Sequence, residues 1–248
     1  MRRTRVIPTL LIRGDGLVKT RRFKDPVYIG DPINATRLFS EKEADEIVVL
    51  DILAARERSE PNFDLVRAMA GEAFMPMAFG GGVRSIEQVR RLIRAGVEKV
   101  IVNTAAARSG VLISEIAAEF GSQAVVGAID VKRSVFGAPH VMVQSGTIGQ
   151  AISPVDKAKQ LCANGAGEIL LSSIDRDGMM SGLDIPLIKS VSAAVPVPVI
   201  ASGGAGSVEH LRAAIHEGGA EAVAAGSMFV FHGRHRAVLI NYPTGLVI

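Results

Sequence analysis

A carboxylate stands at the end of one copy of an internal repeat, and a leucine stands at the same place in the other copy. Residues 125–130 form an apolar run that closes on Asp130, while the matching run, residues 6–11, closes on Leu11. A carboxylate can take up and release a proton, and a leucine side chain cannot. The two halves of the chain therefore differ in the chemistry that their first strands can perform, and this difference bears directly on function.

Glycine-rich turns followed by helix starts are the second candidate for chemistry, and they also occur twice. Residues 79–87 return as residues 201–209, so that Gly203 lies 122 positions after Gly81. Glycines let backbone N–H groups approach an anion, and a helix start adds positive potential. Tight left-handed turns without a ligand are the alternative. The candidate phosphate contacts are Gly81, Gly82, Asn103 and Thr104 in the first copy, and Gly203, Gly204, Gly226 and Ser227 in the second.

The elements that must position these residues are strands alternating with helices. Apolar runs predict strands at residues 5–12, 46–52, 77–79, 99–103, 124–130, 168–174, 197–201 and 222–225. Amphipathic spacing predicts helices at residues 33–43, 63–71, 86–95, 111–120, 154–164, 185–194 and 208–217. This alternation predicts an α/β fold, a single (β/α)8 TIM barrel over residues 1–248, with half-barrels at approximately 1–122 and 123–248. A doubly wound open sheet is the alternative, but two four-unit halves close a ring without edges.

Two longer segments interrupt the alternation, at residues 14–31 and 132–153. Each follows a predicted strand, on the face where barrel active sites form. Residues 137–140 and 145–147 of the second segment have hairpin turn chemistry. Asp51 and Asp177 stand at strand ends or loops on the same face, where we expect them to bind substrate hydroxyls or to shape the loops.

Composition restricts the class of protein. Apolar residues make up 48% of the chain, which is ample for a large core, and the net charge is only +3. No basic and aromatic interleaving accompanies that charge, so we predict no nucleic-acid partner. No segment is long and apolar enough for a membrane span, and the lone Cys162 fits a reducing cytoplasm. His232 and His235 lack a third ligand, so we predict no metal and no cofactor.

With these residues in place, the whole chain resembles the cyclase subunit of imidazole glycerol phosphate synthase, a half-barrel-repeat (β/α)8 family of histidine biosynthesis. The matching stretches are residues 5–8, 79–82, 103–106, 120–123, 128–130, 165–171, 173–178 and 201–206. The resemblance implies a glutaminase partner in a heterodimer, docked at the N-terminal face of the barrel. It implies that ammonia from this partner passes through the barrel to a small phosphorylated substrate at the opposite face. Gly178 joins the phosphate contacts on the same ground.

The resemblance also assigns residue roles. It implies two catalytic aspartates, of which Asp130 is one and the position of Leu11 is the other, and it places Lys19 in a catalytic first loop. It assigns an ammonia gate to Arg5, Glu46, Lys99 and Glu168. Each of these four opens or nearly opens a strand, so we expect all four to meet at the bottom of the barrel. A salt-bridge cluster that serves stability alone is the alternative.

Leu11 and the C-terminal segment, residues 231–243, depart from the histidine-pathway pattern. Together they resemble a paralogous branch found with surface-polysaccharide genes, in which ammonia goes to a separate amidotransferase that forms an acetamidino sugar. The first hypothesis is therefore an ammonia-receiving barrel subunit diverted to that use. The second is a working cyclase in which Asp15 or Lys19 covers for the missing group. The third is a non-catalytic activator of the glutaminase that merely conducts ammonia.

Overall fold

The structure is a computed structural model, and it describes residues 4–233 and 235–243. The outer limits of the predicted domain, residues 1–3 and 244–248, fall outside this range. In chain order the strands are β1 (Arg5–Arg13), β2 (Gly16–Arg21), β3 (Lys24–Gly30), β4 (Ile47–Asp51), β5 (Met77–Gly80), β6 (Lys99–Val102), β7 (Val125–Arg133), β8 (Pro139–Val143), β9 (Ile148–Gln150), β10 (Glu168–Ser173), β11 (Val199–Ser202), β12 (Ala222–Ala225), β13 (Phe231–His232) and β14 (Ala237–Val238). The helices are α1 (Pro32–Glu41), α2 (Ala54–Glu57), α3 (Phe63–Glu72), α4 (Ile86–Arg94), α5 (Thr104–Arg108), α6 (Val111–Phe120), α7 (Pro154–Ala163), α8 (Ile185–Ser192), α9 (Val208–His216) and α10 (Ser227–Val230).

Eight of the strands close into a parallel barrel. Their order around the ring is β1, β4, β5, β6, β7, β10, β11 and β12, and β12 pairs in parallel with β1. The closing register sets Arg5 beside Ala222, and the β7–β10 register sets Val126 beside Glu168. The predicted (β/α)8 barrel is confirmed, and the open-sheet alternative is wrong because no barrel strand is left as an edge.

Strand residues alternate between the inside of the barrel and the surrounding helices. On β1, Val6, Leu10 and Ile12 belong to the large core between the barrel and its helices, whereas Ile7 belongs to a separate small cluster. That small cluster fills the barrel axis with apolar side chains from every strand of the ring. Because the side-chain period of a strand is two, Arg5, Thr9 and Leu11 face the axis with Ile7.

Helix starts are fixed by capping side chains. Ser85 Oγ accepts a hydrogen bond from the backbone N–H of Gln88, and Ser207 Oγ accepts one from that of His210, so the repeat uses one N-cap twice. The seven long helices lie within about two residues of their predicted bounds. The sequence patterns did not predict the short helices α2, α5 and α10, because four or five residues are too few to show a helical period.

The two long segments after β1 and β7 both form hairpins over the mouth of the barrel. Strands β2 and β3 make the first hairpin, and β8 and β9 make the second, whose turn at residues 144–147 contains the predicted turn at 145–147. Of the other predicted turn, residues 139–140 belong to β8. The first hairpin was not foreseen. The hairpins meet at their tips, where the ring of Phe23 lies close to Gly146.

The eighth strand–helix unit departs from the pattern. In the described part of the chain, β12 is followed by the four-residue helix α10 and the small β13–β14 pair, in place of a long helix. The buried Tyr242 completes this side of the barrel, packing against Phe39 and Phe229. Its hydroxyl donates a hydrogen bond to the backbone carbonyl of Val6 at 3.1 Å. This residue thus ties the C-terminal segment to β1.

Candidate functional site

Four charged side chains form a closed ring at the N-terminal end of the barrel, and we call Arg5, Glu46, Lys99 and Glu168 the ionic ring. Arg5 Nη1 lies 2.6 Å from Glu46 Oε2, and Arg5 Nη2 lies 2.8 Å from Glu168 Oε1. Lys99 Nζ lies 2.9 Å from Glu46 Oε2 and 3.1 Å from Glu168 Oε2. Each cation therefore bridges both carboxylates. The side chain of Glu46 is only 2% exposed, so the ring closes this end of the barrel.

An apolar layer lies directly above the ionic ring. Ile7, Val48, Ile101, Leu170 and Ile200 pack across the barrel axis with small alanine side chains between them. Thr9 stands one step further along β1, and its Oγ1 is buried without a hydrogen-bond partner in the described structure. A mainly apolar core thus lies between the ring and the opposite end of the barrel.

A cavity of about 830 Å³ opens at the C-terminal end of the barrel. Asp130 and Leu11 both line it, from β7 and β1 respectively. Asp15, the proposed substitute for the missing carboxylate, does not line the cavity and instead accepts a hydrogen bond from Asn62 Nδ2 at 3.1 Å. In this conformation Asp15 is therefore not positioned to replace a carboxylate at position 11.

The carboxyl group of Asp130 has an environment suited to proton transfer. Burial raises the pKa of Asp130 to about 7, and the nearby charge of Asp177 adds to the rise. Hydrogen bonds from Asn103 and Ser172 oppose it, and Asn103 Nδ2 donates to Asp130 Oδ2 at 2.7 Å. A group that titrates near neutrality can act as either acid or base.

Lys19 belongs to β2 of the first hairpin, and its side chain is buried on the barrel side of that hairpin. Its Nζ donates to the backbone carbonyl of Thr9 at 2.5 Å and lies close to Gly226. Burial lowers the pKa of Lys19 to about 8, and the charge of Asp177 acts in the opposite direction. Lys19 is the second group of this region that titrates near neutrality, but it does not line the cavity.

The first glycine-rich cradle lies open to the cavity. Gly81, Gly82, Asn103 and Thr104 all line it, and both glycines have positive φ values of 121° and 71°. A side chain at Gly81 would collide with the backbone of Asp51, which explains the need for glycine there. The Thr104 hydroxyl accepts a hydrogen bond from the backbone N–H of Gln144 at 3.1 Å, so the second hairpin touches this cradle.

The second cradle is in contact with the first hairpin. Of its predicted members only Gly203 lines the cavity, and Gly178, Gly204, Gly226 and Ser227 do not. Gly178 packs against the backbone carbonyl of Thr20 on β2, while Gly226 faces Lys19 Nζ. The structure thus brings the first cradle to Asp130, and it sets the first hairpin against the second cradle.

Asp51 and Asp177 line the cavity and also hold its loops. Asp51 Oδ1 accepts hydrogen bonds from the backbone N–H groups of Leu53 and Ala54, at 2.9 and 3.0 Å. Asp177 Oδ2 accepts a hydrogen bond of 2.7 Å from the Thr20 hydroxyl, and this bond connects the first hairpin to the loop after β10. Burial raises the pKa of both carboxyl groups.

Apart from Arg13, which belongs to the excess of basic residues near the start of the sequence, the sequence interpretation missed the cationic side chains at the cavity. Five arginines line it, and all come from the first half of the chain: Arg13, Arg56, Arg58, Arg84 and Arg108. Each stands in or next to a loop that follows a barrel strand, which is the signal that could have identified them.

Neither a metal site nor a membrane segment is found in the described residues. No group of three or more His, Cys, Asp or Glu side chains is arranged to hold a metal ion within residues 4–233 and 235–243. Over the same part of the chain, no helix has the length and apolar character required to cross a bilayer.

Fold and site together define a half-barrel-repeat (β/α)8 protein, with an ionic ring at one end and a carboxylate-bearing cavity at the other. The model of the histidine biosynthesis protein family matches residues 5–236. A protein of Pseudomonas aeruginosa, provisionally named imidazole glycerol phosphate synthase subunit hisF2, is 51% identical over 98% of this chain and 97% of its own length. The imidazole glycerol phosphate synthase subunit HisF of Thermobifida fusca is 46% identical, over 92% of this chain and 90% of its own length. The chain belongs to this family, among the cyclase subunits of imidazole glycerol phosphate synthase.

Proposed function

We propose that this barrel receives ammonia at the ionic ring from a glutaminase partner and conducts it to the cavity at the other end. The observation that carries the proposal is the closed ring of Arg5, Glu46, Lys99 and Glu168 set directly beneath an apolar barrel axis. Burying four charges is costly, and a cluster that served stability alone could be replaced by packed apolar side chains. The ring instead supplies a polar closure that a docked partner can rearrange.

Ammonia is a small neutral molecule, whereas its protonated form, ammonium, is charged. A mainly apolar path therefore suits the transfer of ammonia better than the transfer of an ion. The barrel axis above the ring is lined by side chains such as Ile7, Val48 and Leu170, which exclude charged species. Release of ammonia into bulk water would allow it to take up a proton. Passage through the barrel delivers it in reactive form beside Asp130.

We further propose that the chain does not complete imidazole glycerol phosphate formation itself. Leu11 lines the cavity where the resemblance expects a second aspartate, and neither Asp15 nor another carboxylate takes its place on β1. Loss of a general acid or base costs about 10²–10⁴-fold in rate. The ammonia would then serve a different acceptor, and we propose the N-acetyl group of a surface-polysaccharide sugar, which a separate amidotransferase converts into an acetamidino group.

A working cyclase is the second candidate, and two observations favour it. Asp130 has a pKa of about 7, and the buried Lys19 has a pKa of about 8, so a pair of groups that titrate near neutrality remains at the C-terminal end of the barrel. For Lys19 to act, the first hairpin must move, because Lys19 is directed at Thr9 and Gly226 and not into the cavity.

A direct assay separates these candidates. The purified chain is supplied with the histidine-pathway ribonucleotide substrate and an ammonium salt, and substrate loss is followed. We expect no turnover above background for the wild type and a gain of about 10²-fold or more for Leu11→Asp. Robust wild-type turnover would exclude the diverted function.

The ammonia path needs its own test with the glutaminase partner bound. Lys99→Met opens the ring on one side, and we expect ammonia from glutamine hydrolysis to appear in bulk solvent in place of the acceptor product. A matched variant, Lys159→Met, removes a lysine outside the ring and should leave coupling unchanged. If glutamine hydrolysis is coupled to product formation equally well in both variants, the ionic ring does not act as an ammonia gate. Unchanged product formation by Asp130→Asn in the full complex would instead support a barrel that merely conducts ammonia.

A further inference from the structure

Thr9 interrupts the apolar lining of the barrel axis. Its side chain faces the axis one step beyond Ile7, on the cavity side of the apolar layer. In the described strands, every other axis-facing residue between the ionic ring and the layer of Asp130 is apolar or glycine. A single hydroxyl therefore stands between the apolar core and the acid of the cavity.

The internal repeat shows that β1 carries its polar group at an unusual depth. Thr9 corresponds to Ala128 of β7, and Leu11 corresponds to Asp130. Strand β7 thus has a carboxylate in the cavity and an alanine below it, whereas β1 has a leucine in the cavity and a hydroxyl below it. The two strands stand opposite each other in the barrel, with three strands between them in either direction. The polar group of β1 consequently lies one step closer to the ionic ring than that of β7.

The hydroxyl of Thr9 has no hydrogen-bond partner in the described part of the chain. Its Oγ1 is buried, and the backbone carbonyl of the same residue already accepts a bond from Lys19 Nζ. Leaving a buried hydroxyl unpaired is costly, and most such groups in proteins bind a protein group or a small molecule. The fully buried Thr36, outside the barrel axis, has such a partner, since its Oγ1 donates to the backbone carbonyl of Pro32 at 2.9 Å.

The position of Thr9 restricts the partner to a small, neutral molecule. The residue lines the cavity, yet only 9% of it is exposed and its Oγ1 is buried. A phosphorylated substrate in the cavity is too large to reach this oxygen, and the apolar surroundings disfavour an ion. Ammonia has N–H donors and one lone pair, and a hydroxyl can both accept and donate a hydrogen bond. Ammonia therefore matches the hydroxyl in size, charge and hydrogen bonding.

We infer that the Thr9 hydroxyl binds ammonia at the point where it leaves the apolar core for the cavity. The inference rests on the proposed transfer of ammonia through the barrel, and it adds a binding residue between the ionic ring and Asp130. A water molecule is the other small partner that the hydroxyl can take. The experiments below separate the two.

The binding of ammonia is tested on the full chain by nuclear magnetic resonance, with 13C in the threonine methyl groups. Ammonium chloride is added at alkaline pH, where ammonia is largely unprotonated, and sodium chloride is added at the same pH and ionic strength. We expect ammonium chloride alone to shift the Thr9 methyl signal to a saturating value, while the Thr36 signal stays in place. Thr9→Val identifies the signal by its loss. If the two salts act equally on the Thr9 signal, the hydroxyl binds water only and the inference is overturned.

The role of the hydroxyl in transfer is tested with the glutaminase and the sugar amidotransferase present and glutamine as the ammonia source. Thr9→Val keeps the shape of the side chain and should lower the ratio of acceptor product to free ammonia by roughly two- to tenfold. Thr9→Ser keeps the hydroxyl and should restore the ratio, and the control Thr36→Val should leave it unchanged. Because Thr9 Oγ1 has no protein partner, Thr9→Val should melt no lower than the wild type, whereas Thr36→Val loses a hydrogen bond and should melt lower.

The outcomes for Thr9 and for the proposed function are distinct. A wild-type ratio in Thr9→Val would overturn the inference, and the proposed function would still stand if Lys99→Met released ammonia. Loss of the ratio in Thr9→Ser as well would assign the effect to packing and not to the hydroxyl. If the wild type itself passes no ammonia to product, the proposed function fails, and the methyl titration still decides whether Thr9 binds ammonia.

Discussion

Replacing Asp130 with asparagine should change the free energy of unfolding by an amount that depends on pH. Relative to the wild type, the variant should become more stable as the pH rises. The unfolded chain releases the Asp130 proton near its ordinary pKa of 3.8, whereas the folded protein retains it to about pH 7. Between these values the native state binds more protons than the unfolded state, so stability falls as pH rises. The contribution of this group is fully present below pH 3.8 and is lost as the pH passes through 7.

The size of the effect follows from the two pKa values. Titration of a single site with these constants removes about 3 kcal/mol of unfolding free energy between about pH 5 and about pH 8.5. Water in the cavity screens the half-buried carboxyl group, so this figure is an upper bound. The asparagine variant has no such titration. Other titrating groups are shared by the two proteins, and their effects cancel in the difference.

Urea unfolding followed by circular dichroism measures this difference at each pH. We expect the free energy of unfolding of Asp130→Asn, minus that of the wild type, to rise by roughly 2–3 kcal/mol from about pH 5 to about pH 8.5. Asp45→Asn is a control on the opposite face of the barrel. A pH-independent difference for Asp130→Asn would refute the raised pKa and with it the assignment of Asp130 as an acid–base group.

Three further outcomes test other parts of the structure. Glu46→Gln should lower the free energy of unfolding by roughly 2–4 kcal/mol in urea melts, because it removes a carboxylate that pairs with two cations; a loss below about 0.5 kcal/mol would contradict a tight ring. The free energy of unfolding of Lys19→Met, relative to that of the wild type, should fall by up to about 3 kcal/mol from about pH 8 to about pH 10.5. Over this range the wild type gains stability, because Lys19 has lost its proton in the folded protein and still holds it in the unfolded chain. A flat difference would place Lys19 in water. Thr20→Val removes the hydroxyl bound to Asp177 and should speed tryptic cleavage after Arg21 at least several-fold; an unchanged rate would show that the hairpin is held by other contacts.

The barrel itself could be predicted from the sequence because its signals are local and repeated. Apolar runs such as residues 222–225 have the bounds of the observed strand, and capping serines start the equivalent helices α4 and α9. The eighth unit could not be predicted in the same way. Its short helix α10 has no periodic pattern, and Tyr242 acts through contacts far away in sequence with Phe39 and Val6.

The site was predictable where a residue's position on a strand fixes its place. Asp130 and Leu11 end inward-facing strand segments, so both reach the cavity. The contact between the first hairpin and the second cradle was not predictable, because it depends on how this hairpin docks on Asp177, 157 residues away from Thr20 in the chain. Four of the five arginines that line the cavity were missed for a related reason, since exposed loop arginines look like ordinary surface charge until the loops are assembled.

Tyr242 has a consequence for how the chain can be shortened or extended. It fastens the tail to Val6, the residue next to Arg5 of the ionic ring, at the junction where the last strand meets the first. Truncation before Tyr242 would therefore remove this hydrogen bond where β12 pairs with β1. It would also disturb the entrance at the same end of the barrel. Because Tyr242 follows all eight barrel strands in the chain, the entrance is secured only after every one of these strands has been made.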